Sequence, residues 1–119
     1  MAMQHTPLLM SKIIDRGAKV APYEEIVTAT ENGVRRQTYK ETRDRAHQLA
    51  HALAEAGIAI GDRVGTFMWN GSRHLEAYQA CAGMGAVLHT LNIRLSEKDL
   101  EYIINHAEDQ IIIVDADIL

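Results

Sequence analysis

The run Ile111-Ile112-Ile113-Val114 constrains the fold more than any other segment. Side chains alternate between the two faces of a strand. A run with no polar member therefore expects apolar cover on both faces. That cover is the mark of parallel strands joined by helical crossovers. The preceding sequence supplies such crossovers. Thr38-Tyr39-Lys40-Glu41 has the form of a capping box, and Ala46, Leu49, Ala50 and Leu53 follow at amphipathic-helix spacing. Gly57 is placed to end that helix, with Ile58 as its hydrophobic partner. After a turn at Gly61-Asp62, a strand is predicted over Val64 to Met68.

Ser72 is a candidate cap for a second helix ending near Met84. Its Ala77, Ala80, Cys81, Ala82 and Gly83 suit close approach to a neighbouring backbone. A strand over Ala86 to Leu91 follows, then a third helix capped by Ser96 and Asp99, with Leu100, Ile103, Ile104 and Ala107 as its stripe. Before all this, Thr6-Pro7 reads as the start of a short helix ending at Gly17. Ile26 to Thr30 and Val34 to Gln37 read as a β-hairpin, with Asn32-Gly33 as its type I′ turn. The predicted fold class is α/β: an amino-terminal helix and hairpin, then alternating helices and strands in a mainly parallel, three-layered sheet.

The terminal strand expects covering helices that the sequence does not go on to supply. Residues 1–119 are therefore predicted to be an incomplete, amino-terminal part of a larger fold, without an internal boundary. The bare apolar faces and strand edge predict a homo-oligomer, because the formal net charge of -4 is too small to hold copies apart at physiological salt.

Charge and composition narrow the function. Lys and Arg are scattered, which excludes a nucleic-acid footprint. No apolar stretch approaches the roughly 20 residues that span a bilayer. A single cysteine, Cys81, excludes an internal disulfide. A cytoplasmic protein fits these features.

Candidate chemistry is sparse. Gly83-Met84-Gly85 ends a helix and precedes a strand, the reverse of a dinucleotide loop. His47 and His51 have zincin spacing, but Gln48 stands where the general base belongs and no third ligand is evident, so no metal is expected. Cys81 sits among alanines without a base. Asp115 and Asp117 end a strand without the other residues of a phospho-accepting site. Topology offers better positions, since ligands of open α/β sheets lie beyond the carboxyl ends of the strands. Those ends are Trp69-Asn70, Asn92-Ile93-Arg94 and Asp115, and Arg94 is the one cation among them. Asn92, Arg94, Trp69 and Asn70 are the candidate site-lining residues, and none is a candidate catalyst.

Taken as a block, Gly61-Asp62-Arg63-Val64, Arg73 to Tyr78, Gly83 to Asn92 and Tyr102 to Asp109 resemble the amino-terminal region of fatty-acyl-CoA synthetases. These belong to the superfamily of acyl-CoA ligases, adenylation domains and beetle luciferases. Leu75 to Tyr78 and Gly83 to Asn92 are more similar to the medium- and long-chain fatty-acid branch than to the aryl-acid branch. Ile93 departs from the pattern, since many relatives carry proline there. The resemblance implies the amino-terminal part of an AMP-binding large domain. The parent would use ATP, Mg and CoA to turn a fatty acid into an acyl-adenylate and then a thioester, with the remainder of its own chain as partner. The phosphate-binding and catalytic motifs of that family are absent, so the resemblance implies no cofactor and no activity for this chain alone. Two alternatives remain: a free-standing non-catalytic α/β module, and an adenylation domain that loads a carrier protein.

Overall fold

The computed structural model describes residues 5–118. In chain order the elements are α1 (Ser11–Val20), β1 (Glu25–Thr30), β2 (Gly33–Thr38), α2 (Tyr39–Glu55), β3 (Arg63–Phe67), α3 (Ser72–Met84), β4 (Val87–Thr90), α4 (Glu97–Ala107) and β5 (Ile111–Val114). β1 and β2 form an antiparallel hairpin of their own. The other three strands form a parallel sheet in the order β4-β3-β5. The chain steps one way from β3 to β4, then back across β3 to β5. Right-handed crossovers in opposite directions put α3 and α4 on opposite faces, which makes three layers.

One face of the sheet carries the core. Val64, Leu53, Ile58, Cys81 and Ala86 are buried together, with Leu49, Met84, Leu88, Ile111 and Ile113 packed around them. Ala77, Ala80 and Cys81 are the buried small residues of α3, whereas Ala82 and Gly83 face outward. On the other face, Gly65 stands beside His89 and Ile112 in the strand register. A Cβ on Gly65 would lie 3.1 Å from Asp109 Oδ2 and 3.2 Å from Ile112 Cγ1. This closeness lets the fully buried Asp109 carboxylate reach His89, whose Nδ1 lies 2.8 and 3.0 Å from its two oxygens.

Local chemistry fixes the helix ends. Thr38 Oγ1 accepts from the Glu41 N–H at 3.2 Å, and the Glu41 carboxylate accepts from the Thr38 N–H at 2.8 Å. Gly57, at φ 97°, closes α2: its N–H donates to Ala54 O, and the Ile58 N–H donates to Leu53 O. The buried Ile58 then completes a Schellman motif. Ser96 Oγ accepts from the Asp99 N–H at the start of α4.

Three sequence expectations need correction. α1 begins at Ser11 rather than at Pro7, behind Met10, which offers no capping oxygen. It also runs through Gly17 to Val20, because at Gly17 the missing side chain admits the Tyr39 ring, 3.3 Å from where a Cβ would sit. The hairpin turn is centred on Glu31-Asn32, and only Gly33 takes a positive φ, of 123°. It is therefore not type I′, which needs two such residues. Ser72 does not cap α3: its own N–H donates to Thr28 Oγ1 at 3.0 Å, so the hairpin supplies the cap. Gly71 permits this, since a Cβ there would lie 3.0 Å from Thr28 Cγ2. β5 is a half-buried edge strand, in line with the bare edge expected of the terminal strand, and the interior position belongs to β3.

Candidate functional site

The strand ends meet at the top of the sheet. β3 runs into Met68, Trp69 and Asn70, and the Trp69 N–H donates to Asp115 Oδ2 at 2.9 Å. The Asp115 N–H in turn donates to Phe67 O at 3.1 Å, so the end of β5 is strapped to the end of β3. Between this strap and the hairpin lies a cleft of about 790 Å³. Trp69, Asn70, Arg73 and Asp115 line one side, and Thr28 and Arg35 the other. Its charges are mixed, with Arg35 and Arg73 against Glu31, Asp115 and Asp117.

Three of the expected strand-end positions, Trp69, Asn70 and Asp115, therefore come together. Asn92 and Arg94 do not join them. They sit in the exposed loop after β4, where Asn92 Oδ1 accepts from the Arg94 N–H at 3.0 Å and shapes the turn. The hairpin's part in the cleft carries no signal in the sequence, because its contacts span more than forty residues. The His89–Asp109 pair likewise carries no signal in the sequence; its histidine lies on β4 and its carboxylate just past α4.

Beneath the cleft, His74 Nε2 lies 2.9 Å from the buried Thr66 hydroxyl, while His74 Nδ1 is buried without a partner. Burial holds the His74 pKa below its ordinary value, and the Asp115 charge opposes that shift. His74 is accordingly disposed to stay neutral. It lies in the first turn of α3 and is itself buried.

Cys81 is fully buried, and desolvation pushes its thiol up to about 11, far from a reactive thiolate. His47 and His51 line a separate groove of about 430 Å³ among α1, α2 and α3, with His47 Nε2 3.7 Å from Asp15 Oδ1. Among the described residues, no three His, Cys, Asp or Glu side chains converge to hold a metal ion. Gly83-Met84-Gly85 forms the end of α3, with Gly85 left-handed at φ 81° beside Ile60. Among the described residues, no helix is long and apolar enough to cross a membrane.

The cleft can bind polar groups, but it does not suit a triphosphate. The Ser72 N–H at the helix start is already bonded to Thr28, and three carboxylates line the walls. Nucleotide phosphates want free backbone N–H groups and excess positive charge.

An open parallel sheet with its cleft at the strand ends places the chain in the ligand-binding α/β class. The model of the AMP-binding enzyme family matches residues 14–118, and the chain belongs to that family. It is 44% identical over 98% of its length to a long-chain-fatty-acid–CoA ligase of Thermus thermophilus, covering 22% of that protein. It is 39% identical over 95% of its length to a medium-chain-fatty-acid–CoA ligase of Ectopseudomonas oleovorans, covering 21%. Among solved structures, a Mycobacterium tuberculosis fatty acyl CoA synthetase superposes with a TM-score of 0.84 at 26% identity, over 91% of this chain and 21% of that one. The N-terminal domain of FACL13 from Mycobacterium tuberculosis superposes with a TM-score of 0.86 at 25% identity, over 92% of this chain and 28% of that one. The chain thus spans about a fifth of the length of these curated relatives.

Proposed function

We propose that residues 1–119 are the amino-terminal part of the large domain of an ATP-dependent fatty-acid–CoA ligase. The 44% identity to a long-chain-fatty-acid–CoA ligase across nearly the whole chain carries this reading. The parent activates a medium- or long-chain fatty acid with ATP and Mg, then passes the acyl group to CoA. It does so in the cytoplasm. The phosphate-binding residues come from the remainder of the parent chain, because the cleft described above does not fit a triphosphate. The role of this part is scaffolding. Its strand ends present Trp69, Asn70, Asn92 and Arg94 toward the acyl or CoA approach, where Arg94 offers a cation to an anionic substrate.

Two assays test this. The longer protein carrying this sequence, given ATP, CoA and fatty acids, should yield fatty-acyl thioesters by mass spectrometry. Product from aryl or amino acids alone, or acyl groups loaded only onto a carrier protein, would overturn the substrate assignment. The 119-residue chain by itself should release no pyrophosphate above a heat-killed control. By itself it should also associate, since β5 is half-buried at a sheet edge. A single monomeric species in sedimentation velocity at tens of micromolar would refute that part.

A further inference from the structure

α1 has two unlike faces. Ile14, Gly17 and Ala18 turn inward, with Ala18 buried and Gly17 against the Tyr39 ring. On the outward side Ile13 is 63% and Val20 62% exposed, and the segment leading into the helix exposes Leu8, Leu9 and Met10. These five apolar residues border a shallow groove of about 580 Å³ whose rim carries Lys12 and Arg16. Tyr23, just past the helix, is 84% exposed. Isolated apolar residues on a surface are ordinary, but a contiguous strip of this kind marks an interaction site.

Charge selects the occupant. Residues 1–23 hold Lys12, Arg16 and Lys19 against one acid, Asp15, for a formal charge of +2. The other residues hold nine Lys and Arg against fifteen Asp and Glu, or -6. Asp15 is also turned toward His47 on α2. A basic helix with an apolar outer strip thus lies on the otherwise acidic residues 24–119. A second copy meeting this face across a two-fold axis would set Lys12, Arg16 and Lys19 near their own equivalents, and like charges oppose that. An anionic bilayer matches both features. Apolar side chains enter the boundary of headgroups and acyl chains, basic ones meet lipid phosphates, and an exposed tyrosine suits the interface.

We propose that α1 and its leading segment are a membrane-surface anchor. The helix lies in the headgroup plane of an anionic bilayer, with Leu9, Met10, Ile13 and Val20 toward the acyl chains and Lys12, Arg16 and Lys19 toward the phosphates. The electrostatic attraction is local to this basic segment and holds the helix against the lipid phosphates. This inference does not depend on the ligase reading, and its failure would leave that reading untouched.

The test is vesicle co-sedimentation of the full-length protein that carries this sequence. It uses phosphatidylcholine vesicles with and without a quarter of phosphatidylglycerol, at low and high salt. The wild type should sediment with the anionic vesicles only, and less so at high salt. Each basic residue near a charged surface is worth about fivefold in partitioning, so Lys12→Gln with Arg16→Gln should weaken it about 25-fold. Ile13→Ser with Val20→Ser should also release the protein, with far-UV circular dichroism unchanged because both side chains are exposed. Four results would each overturn the proposal. They are equal binding to neutral vesicles, no binding at all, wild-type binding by both variants, or a lipid-free dimer that Ile13→Ser with Val20→Ser dissociates. The second would mean that the rest of the protein's own chain covers this face, and the last that a second copy does.

Discussion

β3 and β5 are neighbours in one sheet, yet sequence and surroundings run in opposite directions. β3 is Arg-Val-Gly-Thr-Phe, a modest strand sequence with a glycine at its centre, and it lies between two partners with Val64, Gly65 and Thr66 buried. β5 is Ile-Ile-Ile-Val, and each of its residues is only half-buried at the edge. The contrast separates two kinds of information. Apolar content reports how much cover a strand is built to receive. Position in the sheet is set by the order of crossovers, and by which backbone can admit close neighbours. Gly65 sits at the centre because Asp109 and Ile112 need the space a side chain would take.

The largest effect should come from the polar pair beside that glycine. His89→Ala would leave the fully buried Asp109 carboxylate without its histidine partner, at a cost of about 3 kcal/mol in urea unfolding. Asp109→Ala should cost less, because the orphaned group would then be the part-exposed imidazole. Equal costs would mean that burial does not govern this face. Next comes the same substitution on both strands. Val64→Ala should cost about 2 kcal/mol and Val114→Ala less than about 1 kcal/mol. In a longer protein that covers β5 the two values should converge. A persistent gap would show that β5 stays at an edge there too.

Smaller effects sharpen the same contrast between local and distant support. Thr38→Ala removes a cap formed within its own helix, and Thr28→Val removes one lent to α3 by the hairpin. Each should cost about 1 kcal/mol. Only Thr28→Val should also speed amide exchange at Ser72, and unchanged exchange there would argue against the borrowed cap. The smallest expected effect is in pH dependence. Burial lowers the His74 pKa, so the unfolded chain takes up that proton more readily than the folded one. Stability from this group is therefore present above about pH 6.5 and is lost as pH falls below it. His74→Gln should flatten that part of the profile. A slope identical to wild type would assign the dependence to other groups.

What could be read from sequence follows the range of the interactions. The element order, the Thr38–Glu41 box, the Gly57–Ile58 closure and the parallel sheet all rest on residues a few positions apart, and all are present. The errors fall where a distant residue intervenes. Tyr39 fits against Gly17 and lets α1 continue, and Thr28 displaces Ser72 as the cap. The candidate site divides in the same way. The carboxyl ends of the strands followed from alternation alone. That Asp115 would be tied to Trp69 and that the hairpin would wall the cleft depended on three-dimensional placement. No pattern in the chain encodes those contacts.

The cap that Thr28 gives to α3 also bears on the order of events as the chain folds. A helix that satisfies its own first turn can form as soon as its residues are available. α3 has no such independence, since the acceptor for its leading amide lies 44 residues earlier, on a hairpin that shares no strand pairing with the sheet. Closing a loop of that length carries an entropic cost before the bond forms. The start of α3 should therefore remain frayed until the hairpin docks, and then tighten in a single step. The cleft mouth, formed from these same two elements, should come into existence only at that moment. The hairpin thus serves as a late check on assembly, because a chain that has folded its sheet but misplaced its hairpin has no strand-end cleft to offer.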